Sequence, residues 1–171
     1  MDKQNDQSSV KVEQATSLFQ VALAFCEEMK FRTTVNRDDN YISLFISISD
    51  ATVRAFLHIE EEQESVIFRT YCPVNVPEHA RERMAEMITR INFSTKHGCF
   101  IMDMADGELV YKTSVSVVGS TLSTNLIRNI VYVNLMTMER WLPAMMTVIY
   151  SGASPEHAFK DLLERVYQSS S

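Results

Sequence analysis

YISLFISISDATVRAFLHIEEEQESVIFRTYC, residues 41–72, decides the fold. Its apolar residues recur at every second position: Ile42, Leu44, Ile46 and Ile48, then Val53, Ala55, Leu57 and Ile59, then Val66 and Phe68. A period of two sends alternate side chains to opposite faces of a strand. Polar breaks near residue 50 and at EEQE (61–64) divide the run into three strands of an antiparallel meander. With Asp50 and Ala51 at the first tip, or a loop over 49–52, Ile48 opposes Val53, Ile46 opposes Ala55 and Leu44 opposes Leu57. With EEQE as the second loop, Ile59 opposes Val66 and Leu57 opposes Phe68. Apolar meets apolar at each step, and a slip of one residue would turn each set to the wrong face.

The opposite face of this meander is not plainly polar. Phe45 is expected to oppose Phe56, His58 to oppose Ile67, Phe56 also to oppose Arg69, and Arg54 to oppose Tyr71. Interleaved aromatic and Arg side chains can pack across strands and make cation–π contacts of about 0.5–1 kcal/mol each. The same residue types are enriched at binding hot spots. Phe45, Arg54, Phe56, His58, Ile67, Arg69 and Tyr71 are therefore the candidate partner-binding residues. The competing expectations are that these pairs only stabilise an exposed sheet, or that another helix covers it.

Outward from the meander the period changes. Within 13–30, Leu18, Val21, Ala22, Phe25 and Met29 recur at three- and four-residue spacing, the stripe of an amphipathic helix. After Cys72-Pro73, Asn75, Pro77 and Glu78 read as a capped helix start, and the helix turns Ala80, Met84, Met87, Ile88 and Ile91 inward. Arg81, Arg83 and Arg90 on it read as a solvated face. A hairpin is expected over 99–118, then a long apolar helix over about 123–149 that Pro143 should kink or split. Ser154-Pro155-Glu156 opens a last helix carrying Ala158, Phe159, Leu162, Leu163 and Val166.

The hairpin raises the question of chemistry, because GCFIMDMADGELVYKTSV (98–115) crowds Asp103, Asp106 and Glu108 around Gly107. Set against a calcium loop with Gly107 as its sixth residue, Met102, Met104 and Thr113 stand where oxygen ligands are needed. As a hairpin, Asp106-Gly107 suits a two-residue tip. Met104 then opposes Leu109, Met102 opposes Tyr111, Phe100 opposes Thr113 and Asp103 lies across from Val110. His97-Gly98-Cys99 does not make a nucleophile pair, since neighbours in a turn seldom face each other and no orienting group is identifiable. The remaining histidines lack metal-ligand spacing, so no metal and no cofactor is expected. With only 4 glycines in the chain, phosphate-cradling loops are not expected either. An alternative function, a small-ligand sensor or enzyme, would use a row of Cys99, Asp103 and Lys112.

At 171 residues and 46% hydrophobic content, one domain is expected, burying roughly 70% of the surface its unfolded form exposes. A net charge of −6 argues against nucleic acid or an anionic membrane as partner. Residues 122–150 are apolar but interrupted by Arg128, Glu139, Arg140 and Pro143, so no membrane span is expected. The three dispersed cysteines fit a reduced cytosol, and the polar start, residues 1–12, reads as a disordered lead. The 10 methionines suit an irregular core, with some on the long helix left to meet a partner or a second subunit.

TYCPVNVPEH (70–79), INF (91–93) and the 98–115 stretch resemble the YbjN-domain family of bacterial proteins, labelled sensory transduction regulators. The resemblance covers about 13–167 and makes 13–171 a single YbjN-like domain. It implies a type III secretion chaperone-like fold of α+β class, an antiparallel sheet of three-strand meander plus hairpin packed against helices. The order expected from the residues is the same, α-β-β-β-α-β-β-α-α. The resemblance further implies a homodimer, brings no catalytic residues, and by analogy with chaperones of that fold suggests binding of extended or amphipathic protein segments. The expected role is a non-catalytic, cytoplasmic protein- or peptide-binding module, chaperone-like or regulatory. Helix 123–149 serving only as the seam of a structural assembly is a third expectation.

Overall fold

The structure, a computed structural model, describes residues 17–49 and 51–169. The lead expected over 1–12 lies outside the described residues. Helix α1 (Leu18–Glu28) starts where Ser17 and Gln20 cap each other's backbone N–H groups. The Glu61 carboxylate accepts hydrogen bonds from Leu18 N–H at 3.2 Å and Phe19 N–H at 2.9 Å. That contact puts a negative charge at the positive end of the helix and ties α1 to the sheet. Phe19, Ala22, Phe25 and Cys26 are its buried residues, whereas Met29 is exposed, so the buried stripe is rotated from the expected one.

Strands β1 (Thr33–Asn36), β2 (Tyr41–Ile48), β3 (Ala51–Glu60) and β4 (Ser65–Tyr71) follow. After a 3-10 turn at Glu78–Ala80 come α2 (Arg81–Ser94), β5 (Cys99–Met102), β6 (Leu109–Ser116), α3 (Thr124–Tyr150) and α4 (Pro155–Ser169). They build one antiparallel sheet in the order β1-β2-β3-β4-β6-β5. The element order is the expected one, with β1 added at the edge. TTVN, short and largely exposed, lacks the apolar alternation that marks the other strands.

Two registers differ from expectation, each by two residues. Ile48 pairs with Ala51, so Ile46 faces Val53, Leu44 faces Ala55 and Ile42 faces Leu57. Ser49, at φ 42°, takes the left-handed conformation that a tight hairpin loop requires. The β3–β4 register is as expected, with Ile59 opposite Val66 and Leu57 opposite Phe68. In the second hairpin Met102 pairs with Leu109 and Phe100 with Tyr111, so the tip is a wide turn over 103–108. Asp103 N–H donates to Glu108 O at 2.9 Å and Gly107 N–H donates to Asp103 O at 2.8 Å.

Contacts from outside the hairpin hold that wide turn. Val76 N–H donates to Gly107 O at 2.8 Å, and the Arg81 guanidinium donates to Val76 O, Met104 O and Ala105 O at 3.0–3.2 Å. Arg81 is thus a clamp rather than a solvated charge. Asn75 does not cap α2; its amide donates to Asp106 O at 3.4 Å.

The sheet's inner face carries Ile42, Leu44, Val53, Leu57, Val66, Phe68, Phe100 and Tyr111 into the core against the helices. On α3 the buried residues Ile127, Val131, Asn134, Met138, Trp141, Met145 and Val148 alternate in steps of four and three, one face of a helix. Asn134, fully buried, donates through its amide to Phe68 O, Tyr111 O and Thr113 Oγ1, which pins α3 to β4 and β6. Pro143 neither splits nor ends α3, which stays one helix of 27 residues. Packing on both sides of it, through Trp141, Ala144 and Met145, outweighs the one lost hydrogen bond. Trp141 stacks on Phe159 at 5.1 Å and so joins α3 to α4. Among the described residues no helix is long and apolar enough to cross a membrane.

Candidate functional site

With α1, α2 and α3 packed on the inner face, the outward-pointing residues of β2, β3, β4, β6 and β5 form a continuous surface. The ladders align them in rows. Phe45, Arg54, Tyr71, Val110 and Ile101 stand opposite one another in turn. Beside them run Ser43, Phe56, Arg69, Lys112 and Cys99, and then Tyr41, His58, Ile67 and Ser114. The structure therefore brings all the candidates (Phe45, Arg54, Phe56, His58, Ile67, Arg69 and Tyr71) onto one face. The two-residue shift in register changes their neighbours: Phe45 faces Arg54, not Phe56, and Phe56 faces Ser43.

An aromatic cluster forms at the centre. Phe56 meets Tyr41 and Tyr71 edge-on, each at 5.4 Å, and the Arg54 guanidinium lies 5.4 Å from the Phe56 ring and 4.7 Å from the Tyr71 ring. Arg54 also pairs with Glu108 at 3.4 Å. Phe56, His58, Ile67, Arg69 and Tyr71 are half-buried by one another, while Phe45 is 66% exposed and Ile101 42%. Burial in this cluster, reinforced by Arg69 and partly opposed by Glu60, holds the His58 imidazole below its ordinary pKa. Burial first, then the Glu108 charge, raises the Tyr71 phenol against the opposing pull of Arg69 and Arg54.

Alternation puts Tyr41 on the same face as Phe45, but its place beside His58 in the cluster was missed, as were Val110, Ile101 and Lys112 as members of this surface. The first needed the correct β2–β3 register, and the others needed to know that β6 lies beside β4. The residues of the alternative function are not brought together. Cys99 and Lys112 are cross-strand partners, but Asp103 lies past the end of β5 and accepts from Ala105 N–H at 2.7 Å. Four residues of extended chain separate it from Cys99 by about 13 Å. Asp106 likewise serves the turn, accepting from Glu108 N–H at 2.8 Å.

A six-stranded antiparallel sheet with helices on one face and an open aromatic face on the other defines an α+β protein of the type III secretion chaperone-like fold. The chain belongs to the YbjN family, described as "Putative bacterial sensory transduction regulator", whose model matches residues 20–146. Its structure is similar to the crystal structure of YbjN from E. coli, with TM-score 0.55, 15% identity and coverage of 72% of this chain and 89% of that one. It is also similar to a chain of the ExsC–ExsE complex, with TM-score 0.52, 12% identity and coverage of 76% and 96%. A chain of the HopA1–SchA chaperone–effector complex has TM-score 0.49, 16% identity and coverage of 74% and 94%. No sequence among curated proteins matches significantly.

Proposed function

We propose that this protein is a non-catalytic binding module, chaperone-like or regulatory, that acts as a dimer in the cytosol and holds a segment of another protein across its outer sheet face. The observation that carries this reading is the row Phe45, Arg54, Tyr71, Val110 and Ile101, with exposed Phe45 and Ile101 at its ends, half-buried Tyr71 and buried Val110 between them, and the Arg54 guanidinium over the Tyr71 ring. Surfaces of this make-up, with aromatic and Arg anchors, are the ones that carry binding energy. Arg54, Arg69 and Lys112 lie among the apolar groups, so the partner segment is extended or amphipathic and carries carboxylates. A chain of similar fold occurs in the ExsC–ExsE complex, which supports protein binding by analogy of fold.

Affinity capture from native lysate followed by mass spectrometry identifies the partner, and the variant Phe56→Ala/Tyr71→Ala tests the surface. The double variant is expected to lower affinity for that partner at least tenfold. Unchanged affinity in a folded variant sinks the assignment. Light scattering at micromolar concentration tests the dimer, and a monomer there would remove that part of the proposal.

A further inference from the structure

Away from the outer sheet face, a cleft opens between α3 and the loop from Ser94 to Gly98 that joins α2 to β5. It consists of two adjoining cavities, of about 360 and 400 Å³, that share Lys96, His97 and Val133. Arg140, Met136, Trp141 and Leu163 help line the first; Thr113 and Asn129 help line the second. Each is of the size that takes a small molecule.

The charge of this cleft runs against that of the chain. The sequence carries 22 acidic residues and 16 Lys and Arg, yet among the described residues no Asp or Glu lines either cavity. Ion pairs among the described residues engage Arg54, Arg90, Arg128, His157 and Lys160. Lys96 and Arg140, which share the first cavity, have no carboxylate partner among them. Like charges gathered without a counter-charge repel one another, and an anion placed between them relieves that repulsion.

The loop that carries Lys96 and His97 is held in place by its own bonds. Ser94 Oγ and Thr95 Oγ1 donate to Ile91 O at 2.9 and 2.8 Å, and the Tyr111 hydroxyl donates to His97 O. The Asn92 side chain donates to Phe100 O at 2.9 Å and accepts from Phe100 N–H at 2.8 Å. Gly98, at φ +80°, lies so close to β6 that an added Cβ would come within 2.4 Å of Lys112 O. Cations on a loop fixed in this way pay little ordering entropy when an anion arrives.

We propose that this cleft binds a small organic anion with an apolar body, a carboxylate or phosphate monoester carried on an alkyl or aryl group. The anionic group lies against Lys96 and Arg140, which line the first cavity together, and the apolar body against Met136, Trp141 and Leu163. This site is separate from the partner-binding face.

Trp141 is the chain's single tryptophan and lines the cleft, so its emission reports occupancy. The full chain is titrated with octanoate, phenyl phosphate, octanol and inorganic phosphate, by Trp141 fluorescence and by calorimetry. Octanoate or phenyl phosphate is expected to bind saturably, with octanol and inorganic phosphate at least tenfold weaker. Lys96→Ala/Arg140→Ala, and separately the charge reversal Lys96→Glu, should raise the dissociation constant at least tenfold with an unchanged melting curve. Phe56→Ala/Tyr71→Ala should leave it unaltered, which separates this inference from the partner-binding one. Absence of saturable binding of either organic anion, or wild-type binding by folded Lys96 and Arg140 variants, overturns the proposal. Equal binding of octanol or of inorganic phosphate overturns it as well.

Discussion

Gly107 shows how one residue can fix the aim of a hairpin. Its φ of +79° suits glycine, and a Cβ added there would sit 2.0 Å from Val76 O. Gly107→Ala must therefore push apart the turn and the segment that leads into α2. The expected cost is on the order of 2–4 kcal/mol, read by urea denaturation. A loss under about 0.5 kcal/mol, the range of an ordinary surface substitution, would contradict the clamp. His58 makes a second prediction at this scale. Its folded pKa is depressed, chiefly by burial among Tyr41, Phe56 and Ile67, then by Arg69, with Glu60 opposing. The unfolded chain binds a proton at about pH 6.5, where the folded chain still resists it. Stability from this group is therefore intact above about 6.5 and is lost as pH falls toward the folded value. His58→Gln should flatten that acid-side loss, and an NMR titration of His58 at or above 6.5 would rule the mechanism out.

At the scale of elements, α3 is the test of packing against propensity. Pro143 is solvent-exposed within the helix and leaves the Glu139 carbonyl without its intrahelical donor. Pro143→Ala should stabilise the chain by about 1–3 kcal/mol, seen as a higher denaturation midpoint. No gain would mean that the helix is bent around the proline to fit Trp141 and Met145. The same helix shows why elements were legible in the sequence and partners less so. Periods of two and of 3.6 fix which side chains share a face, so the meander, its buried set and the site's candidates were readable from 41–72. They fix register only to the nearest two residues. Ile48 could oppose Val53 or Ala51 with no change of face, and a left-handed Ser49 decides it. The wide turn at 103–108 was unreadable for another reason: Arg81 and Val76, remote in sequence, hold it open. β1 carried no periodic signal at all.

At the scale of the molecule, one sheet serves two surfaces. Its inner face is closed by helices, and its outer face keeps Phe45, opposite Arg54, and Ile101, at the far edge of the same row, in water. The partner-binding rows were half legible, since the meander's contribution could be read locally while Val110, Ile101 and Lys112 enter through the strand order. The anion cleft was not legible, because Lys96 and Arg140 meet only when α3 folds back across the loop after α2. That strand order has a kinetic consequence. β2, β3 and β4 pair through short hairpins, whereas β4 and β6 join residues roughly forty to fifty positions apart. Pairing through the short hairpins costs less loop entropy, so the meander is expected to form the folding nucleus and the β5–β6 hairpin to complete its docking after the transition state. Conservative truncations such as Ile59→Val should then slow refolding, while Val115→Ala mainly speeds unfolding. The reverse pattern in a chevron plot would place the nucleus at the β4–β6 seam.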